Sequence, residues 1–254
     1  TSMKPRVLAE RIVEHLPPSP LVERIEIAGP GFINFFLAPE AWVRLIQQIR
    51  TKGSTYGASD RGAGEKVLVE FVSSNPTGPL HVGHGRGAAY GDALVRILRA
   101  AGYDIESEYY INDAGRQMDI LALSVWLRYL ELCGEKLDFP EGAYQGDYIF
   151  DIASTLLQED GEAYRQSVAE VITALPEEVD ARIDVLVKKM RKRLGEKGFV
   201  RVHNLGSDTL VENICDDLSR FGVDFDSWFS ERSLLSSAAV ERVVATLKKS
   251  GHLY

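Results

Sequence analysis

The chain has 254 residues, 45% hydrophobic and 26% charged, the balance of a soluble globular protein with enough apolar side chains for a core and length for more than one domain. It holds no run of 18 apolar residues and no basic-then-apolar leader, which argues against a membrane span or a signal peptide. Its net charge of −8 gives no global support for nucleic-acid binding, and two cysteines, Cys133 and Cys215, are too few and too distant for a disulfide framework or zinc ribbon.

In chain order, residues 4–16 read as a short amphipathic helix with Leu8, Ile12 and Leu16 on one side, ended by Pro17, Pro18 and Pro20. Residues 22–28 alternate Val and Ile with charged residues and 32–37 form a second strand, joined as a hairpin by Gly29-Pro30-Gly31. A helix over 39–51 follows, with Trp42, Leu45, Ile46 and Ile49 as its apolar face. Residues 53–66, rich in Gly, Ser and Ala, read as a linker.

The stretch 67–102 reads as strand, loop and helix. Residues 67–72 are a short β-branched run, expected as a buried parallel strand with Glu70 near its C-terminal end. The loop 73–79 contains Pro76 and Pro79, which lack an N–H and push the preceding residues toward extended backbone. From Val82 the pattern turns helical, with Tyr90, Leu94, Ile97, Leu98 and Ala101 on one predicted apolar face and Gly102 as the stop. His81 and His84 share the face of the first turn, where unpaired N–H groups and the positive end of the helix dipole invite phosphate. Gly83, Gly85 and Gly87 keep Cβ atoms out of the way.

Three other motifs fit this stretch poorly. Gly83-x-Gly85-x-x-Ala88 follows its strand by about ten residues, where a dinucleotide fingerprint follows immediately. His81-x-x-His84 lacks the glutamate and third ligand of a zinc helix. No Gly-Lys-Ser/Thr is present for a Walker loop.

Residues 104–111 read as the next strand and 112–115 as the turn at its C-terminal end, which places Tyr110, Asn112 and Asp113 on the ligand side of a doubly wound sheet. A helix runs from Gly115-Arg116-Gln117 to 132, with Trp126 and Leu130 as core; Gln117 reaches substrate or faces water. Residues 138–151 carry four aromatics, and packing is the preferred role for Tyr144, Gln145 and Asp147. Two helical stretches fill 159–198. Within them Lys189-Met190-Arg191-Lys192-Arg193 imitates a Lys-Met-Ser-Lys loop, but Ile183, Leu186, Val187, Met190 and Leu194 continue a helix, so a solvated basic face is expected. A helix over 210–221, a third buried strand over 225–231 and a helix over 240–250 complete the pattern.

The string Ser74-Asn75-Pro76-Thr77-Gly78-Pro79-Leu80-His81-Val82-Gly83-His84 closely resembles the His-x-Gly-His signature of class I aminoacyl-tRNA synthetases. With Glu70 ahead and Gly91-Asp92-Ala93 behind, it resembles the arginyl-tRNA synthetases in particular. IEIAGPGFINFFL (25–37) is similar to the end of that family's N-terminal additional domain, which contacts the tRNA elbow, and YQGDYIFDIA (144–153) to its insertion.

The resemblance implies an α/β fold: the first half of a Rossmann-like parallel sheet with a helical connective insertion, preceded by a partial small α+β domain. The implied organisation is 1–52 additional-domain remnant, 53–66 linker, 67–132 catalytic half-domain, 133–209 helical insertion, and 210–254 a helix, third strand and following helix. It implies ATP-dependent activation of arginine and transfer to tRNA(Arg), using ATP and Mg2+ with no resident metal site, in the cytoplasm and away from membranes. His81 and His84 are then the catalytic groups, since an ionised carboxylate attacking a phosphate needs charge stabilisation and no general base. Pro79, Leu80, Gly83 and Gly85 join both histidines in holding ATP, and Glu70, Ser74, Asn75 and Gln117 hold arginine, a carboxylate suiting a guanidinium or ammonium. In that family Tyr254 falls midway through the catalytic domain, so this chain alone is expected to be inactive.

Two other functions are weighed. One is a non-catalytic RNA-binding truncation. The other is a small-molecule nucleotidyltransferase, which shares the His-x-Gly-His helix start but not the GPGFINFF hairpin or the long insertion.

Overall fold

The computed structural model describes residues 3–253, apart from the side chain at 236, and the chain divides into two compact units, one up to Asp60 and one from Arg61. In the first, α1 (Pro5–Glu14) packs on an antiparallel hairpin of β1 (Val22–Ala28) and β2 (Phe32–Leu37), followed by α2 (Pro39–Lys52). Gly31 has φ +141°, and a Cβ there would meet the Pro5 carbonyl at 2.8 Å, so the turn needs glycine. On α1 the inward positions are Leu8, Ala9 and Val13, with Leu16 half-buried just beyond it, while Ile12 turns outward. The apolar face expected on α2 is largely exposed, with Trp42 57% and Ile46 57% accessible.

The second unit holds a parallel sheet of order β3-β4-β5: β3 (Lys66–Glu70), β4 (Asp104–Ile111) and β5 (Ser227–Ser230). α3 (Val82–Ala100) connects the first two strands, as a parallel pair requires. α4 (Arg116–Leu132), α5 (Asp147–Asp160), α6 (Val168–Val171) and α7 (Val179–Phe221) come next, then α8 (Glu231–Ser236) and α9 (Ala239–Lys249) after β5. α4, α5 and α7 pack on one another to form the main core, with Trp126, Tyr129, Leu121, Leu156 and Met190 fully enclosed. A smaller core of Ala88, Tyr109, Ile111, Ile214, Leu218 and Val223 ties the sheet to α3 and the end of α7.

Several expectations are corrected. β3 and β5 are edge strands, because β4 is the centre of three; Leu68 is 57% exposed and β5 only half-buried over four residues. The predicted apolar face of α3 points outward, with Tyr90 74% and Ile97 66% exposed. α3 instead buries Ala88, Gly91 and Val95, small residues that let it approach the sheet so closely that a Cβ on Gly91 would sit 2.1 Å from Phe71. The basic run is only in part a solvated face, with Arg191 and Lys192 exposed. Lys189 Nζ donates to Val171 O at 2.9 Å, Arg191 pairs with Asp119 at 2.7 Å and Arg193 with Glu170 at 2.7 Å, while Met190 is core. α7 runs through this segment and breaks its helical backbone only at Gly195, φ +64°.

Candidate active site

The site grows from the C-terminal end of β3. Val72 and Ser73 both have positive φ, +66° and +41°. A β-branched residue there is strained, and the surrounding structure has to over-determine it. It does so with tyrosines and serines of β4 and the loop. Ser73 Oγ accepts the Tyr110 N–H at 3.1 Å. The Ser74 N–H donates to Tyr109 Oη, and the Tyr109 hydroxyl donates to Ser74 O, both at 3.0 Å. Tyr109 is 1% exposed, and burial pushes its phenol up to about 12 against the pull of its Ser74 bonds, so it stays a donor. Further along, Pro76 is buried and the Tyr148 hydroxyl of α5 donates to Thr77 O at 2.7 Å.

The two histidines form the cap of α3. Gly83 N–H donates to His81 Nδ1 at 3.1 Å and His81 N–H to His84 Nδ1 at 3.2 Å, a reciprocal capping box built from imidazoles. Their rings stack, with centroids 3.8 Å apart. Each Nδ1 accepts a main-chain N–H, so each neutral ring carries its proton on Nε2. His84 Nε2 lies 3.2 Å from Ser74 Oγ. Burial first, and then the neighbouring His81, hold the His84 pKa below its ordinary 6.5, which keeps that ring neutral near pH 7.

This changes the picture of a cradle of free N–H groups. Gly83 N–H is taken by His81, while the His84 and Gly85 N–H groups reach His81 O at 2.9 and 3.2 Å. The imidazole edges, not the main chain, are what the helix start presents. Gly83 is needed for that arrangement, since a Cβ would come 2.9 Å from His81 Cε1, whereas Gly85 opens on space with nothing within 4 Å.

Loop 72–79, His81, His84, Tyr144 and Tyr148 enclose an open cleft of about 560 Å3. Of the residues expected from sequence, Ser74, Asn75, Pro79, His81 and His84 line it. Leu80 turns to the smaller core. Gln117 is exposed and reaches the cleft through Asn75, whose Nδ2 donates to its Oε1 at 2.6 Å. Glu70 stands exposed at the end of β3, outside the lining. It belongs instead to an acidic rim at the strand ends: the Tyr110 phenol is pushed up by burial first and then by Glu231, Asp113 and Glu70. Asp113, buried, accepts from Ser230 Oγ at 2.6 Å and the Arg232 N–H at 2.9 Å, so it braces β5.

Tyr144 packs on the main core as expected and lines the cleft as well, while sequence reasoning passed over Tyr148, Glu231 and the Tyr109 anchor. The only local signal was the position of Glu231 just past a strand. Among the described residues no three His, Cys, Asp or Glu side chains lie close enough to hold a metal ion. None of the described helices is long and apolar enough to cross a membrane.

Residues 1–37 match the arginyl tRNA synthetase N terminal domain family and residues 45–137 the class I (R) tRNA synthetase catalytic domain family. An arginine–tRNA ligase of Thioalkalivibrio sulfidiphilus is 53% identical over 99% of this chain and 44% of its own length. This chain belongs to the arginyl-tRNA synthetase family. A second arginine–tRNA ligase, from Legionella pneumophila strain Paris, is 49% identical over 98% of this chain and again 44% of its own length, so the chain spans less than half of these relatives. Among solved arginyl-tRNA synthetases, one from Campylobacter jejuni superposes with TM-score 0.63 at 30% identity, covering 81% of this chain and 39% of that one. One from Thermus thermophilus gives TM-score 0.54 at 25% identity over 97% of this chain and 36% of that one. Within the arginyl-tRNA synthetase match, the catalytic-domain segment contains the loop, both histidines, Asn75 and Gln117, while Tyr144 and Tyr148 lie beyond it.

Proposed function

We propose that this chain carries part of the activation site of an arginine–tRNA ligase, which joins arginine to ATP as arginyl-adenylate and passes the arginyl group to tRNA(Arg). The arginine carboxylate is ionised at neutral pH and attacks the α-phosphate of ATP, with pyrophosphate leaving. No proton has to be removed from the nucleophile, so rate depends on alignment and on donors aimed at the charge that grows on the phosphate oxygens.

The observation that carries this reading is the fixed tautomer of both histidines. Main-chain N–H groups occupy each Nδ1, so the protons sit on Nε2 of two rings that line the cleft. The His84 one is 3.2 Å from Ser74 Oγ, a contact a bound phosphate would have to replace. Gly85 leaves open space beside the helix start, and Pro79 lines the cleft. Asn75 and Ser74 line the part of the cleft assigned to arginine, and Glu70, with Asp113 and Glu231 on the same rim, supplies the negative potential a cationic amino acid seeks. Mg2+ would arrive with the phosphates of ATP. We assign the work to the cytoplasm, where arginyl-tRNA is used.

The test is arginine-dependent ATP–pyrophosphate exchange in the natural protein that contains this sequence. His81→Ala and His84→Ala should each lower the exchange rate by roughly 100-fold or more, the usual size for removing one transition-state donor. Their far-UV circular dichroism should stay unchanged. Full exchange in both variants would remove the histidines from the mechanism.

A further inference from the structure

Asn75 stands in the cleft with its amide held from behind. Its Nδ2 donates to Oε1 of Gln117 at 2.6 Å, across 42 positions of sequence. An amide has a donor end and an acceptor end. Nδ2 has two hydrogens and gives one to Gln117; that bond turns the amide so that Oδ1, at its other end, is left to accept from a ligand. That polarity matters, because the imidazole Nε2–H edges nearby are donors and suit phosphate. An acceptor beside them suits an N–H group of an amino acid.

Gln117 is well placed to enforce the choice. It sits in the first turn of α4, between residues tied to α7 and the core. Arg116 bonds Asp180 and Asp184, each at 2.9 Å; Met118 is 1% exposed; Asp119 pairs with Arg191 at 2.7 Å. The helix turn that carries Gln117 is thus anchored by its neighbours, while the exposed Gln117 side chain itself bonds Asn75. Without a partner, the terminal torsion of an asparagine is broad and close to two-fold, so the amide would turn and offer Nδ2 to a cation about as readily as Oδ1.

Resting on the assignment of Asn75 to the amino acid, we propose that Gln117 is a positioning residue that orients the Asn75 amide so that Oδ1 accepts an N–H of the substrate arginine. Gln117 makes no contact with substrate itself. Its effect falls on arginine and spares ATP.

Steady-state activation kinetics on the natural protein containing this sequence test it with Gln117→Met, Gln117→Glu, Asn75→Ala and the Asn75→Ala/Gln117→Met double variant. Gln117→Met keeps the length and loses the acceptor. It should raise KM for arginine by about 5–10-fold, with kcat and KM for ATP within about two-fold of the parent, as one lost neutral hydrogen bond implies. Gln117→Glu keeps the acceptor and should hold KM for arginine near the parent value. Asn75→Ala should raise KM at least as far, and adding Gln117→Met to it should change nothing more, because the two act through one bond. An unchanged KM in Gln117→Met, a Gln117→Glu variant as impaired as Gln117→Met, or additive effects in the double variant would each overturn the positioning role. If Asn75→Ala itself leaves KM for arginine untouched, the amino-acid assignment of Asn75 fails instead.

Discussion

The hydroxyl of Tyr148 donates a 2.7 Å hydrogen bond to the main-chain carbonyl of Thr77. One bond therefore joins a helix of the all-helical layer to the loop that leads into the two histidines. Tyr148 is half-buried against the main core, and burial first, then Tyr144, push its phenol upward, so it remains a donor at neutral pH.

Tyr148→Phe tests what that bond contributes. The ring still packs, so the fold should persist, with a loss of about 1 kcal/mol for one part-buried hydrogen bond. The loop would then keep its bonds to Tyr109, Tyr110, His84 and Gln117 but lose its tie to α5. Pyrophosphate exchange should drop several-fold, since small displacements of positioned groups reduce rate steeply. Urea midpoint and exchange rate, measured on the same preparations, separate the two effects.

Acid should loosen the start of α3. His84 has a folded pKa below its ordinary 6.5, from burial and then from His81. The unfolded chain therefore takes up this proton before the folded one does. The contribution is fully present above 6.5 and is lost as pH falls from 6.5 through the lowered folded value. Protonation also turns Nδ1 from acceptor to donor, which breaks the bond from the His81 N–H. His203, lowered chiefly by burial, acts in the same direction. Asp226 adds a later step: Ser107 N–H and Oγ, each at 2.7 Å, then Arg99, hold its carboxyl below the usual 3.8, so its contribution is present above 3.8 and lost as pH falls through its folded value. Urea midpoints taken across this range should show the first decline beginning near 6.5, and His84→Gln should shrink it. A midpoint that does not change between neutral pH and pH 5 in the parent would contradict the depressed imidazole.

The hairpin, β4 and α9 were legible because the hydrophobic periods change where the chain changes structure, whereas the stretch 138–221 was not. There the helix Asp147–Asp160 was read as a packing segment, and the single helix Val179–Phe221 as the end of one helical stretch and a separate helix over 210–221. What failed was the weighting of those periods. On α3 the large apolar residues Tyr90 and Ile97 suggested an inward face, yet the helix packs through Ala88 and Gly91, whose small size allows close approach. The central position of β4 is a property of the assembled sheet and left no mark in the strand sequences. At the site, the loop and histidines were visible as a local string. Tyr148 with Thr77, and Asn75 with Gln117, are 71 and 42 positions apart, so their pairing was invisible. Nor does the sequence announce that imidazoles will cap the helix they begin, a role usually taken by Ser, Thr, Asp or Asn.

Gly91→Ala should reverse the usual sign of a helix glycine replacement. In an open helix the change stabilises by up to about 1 kcal/mol. Here the new methyl would fall 2.1 Å from Phe71, whose ring sits 4.4 Å from that of Phe225. Overpacking of this kind costs roughly 1–3 kcal/mol, so the variant should be less stable than the parent. Thermal unfolding gives the sign directly.

Gly85→Ala should do the opposite on stability and still damage function. Nothing lies within 4 Å of the added Cβ, and the residue has ordinary helical backbone, so the variant should gain on the order of 0.5–1 kcal/mol. The methyl would stand in the first turn of α3, one residue past His84, on the approach proposed for the nucleotide. In the natural protein KM for ATP should rise by about ten-fold or more, as expected when a bulky group displaces a charge-bearing ligand from its donors. KM for arginine should barely move, because Asn75 lies on the far side of the loop's prolines in sequence and is held by Gln117. A higher melting temperature together with weaker ATP use would locate the phosphates at the histidine-capped helix start. A higher melting temperature with unchanged KM for ATP would mean that the nucleotide approaches from another side, and that Gly85 is glycine for a reason other than access.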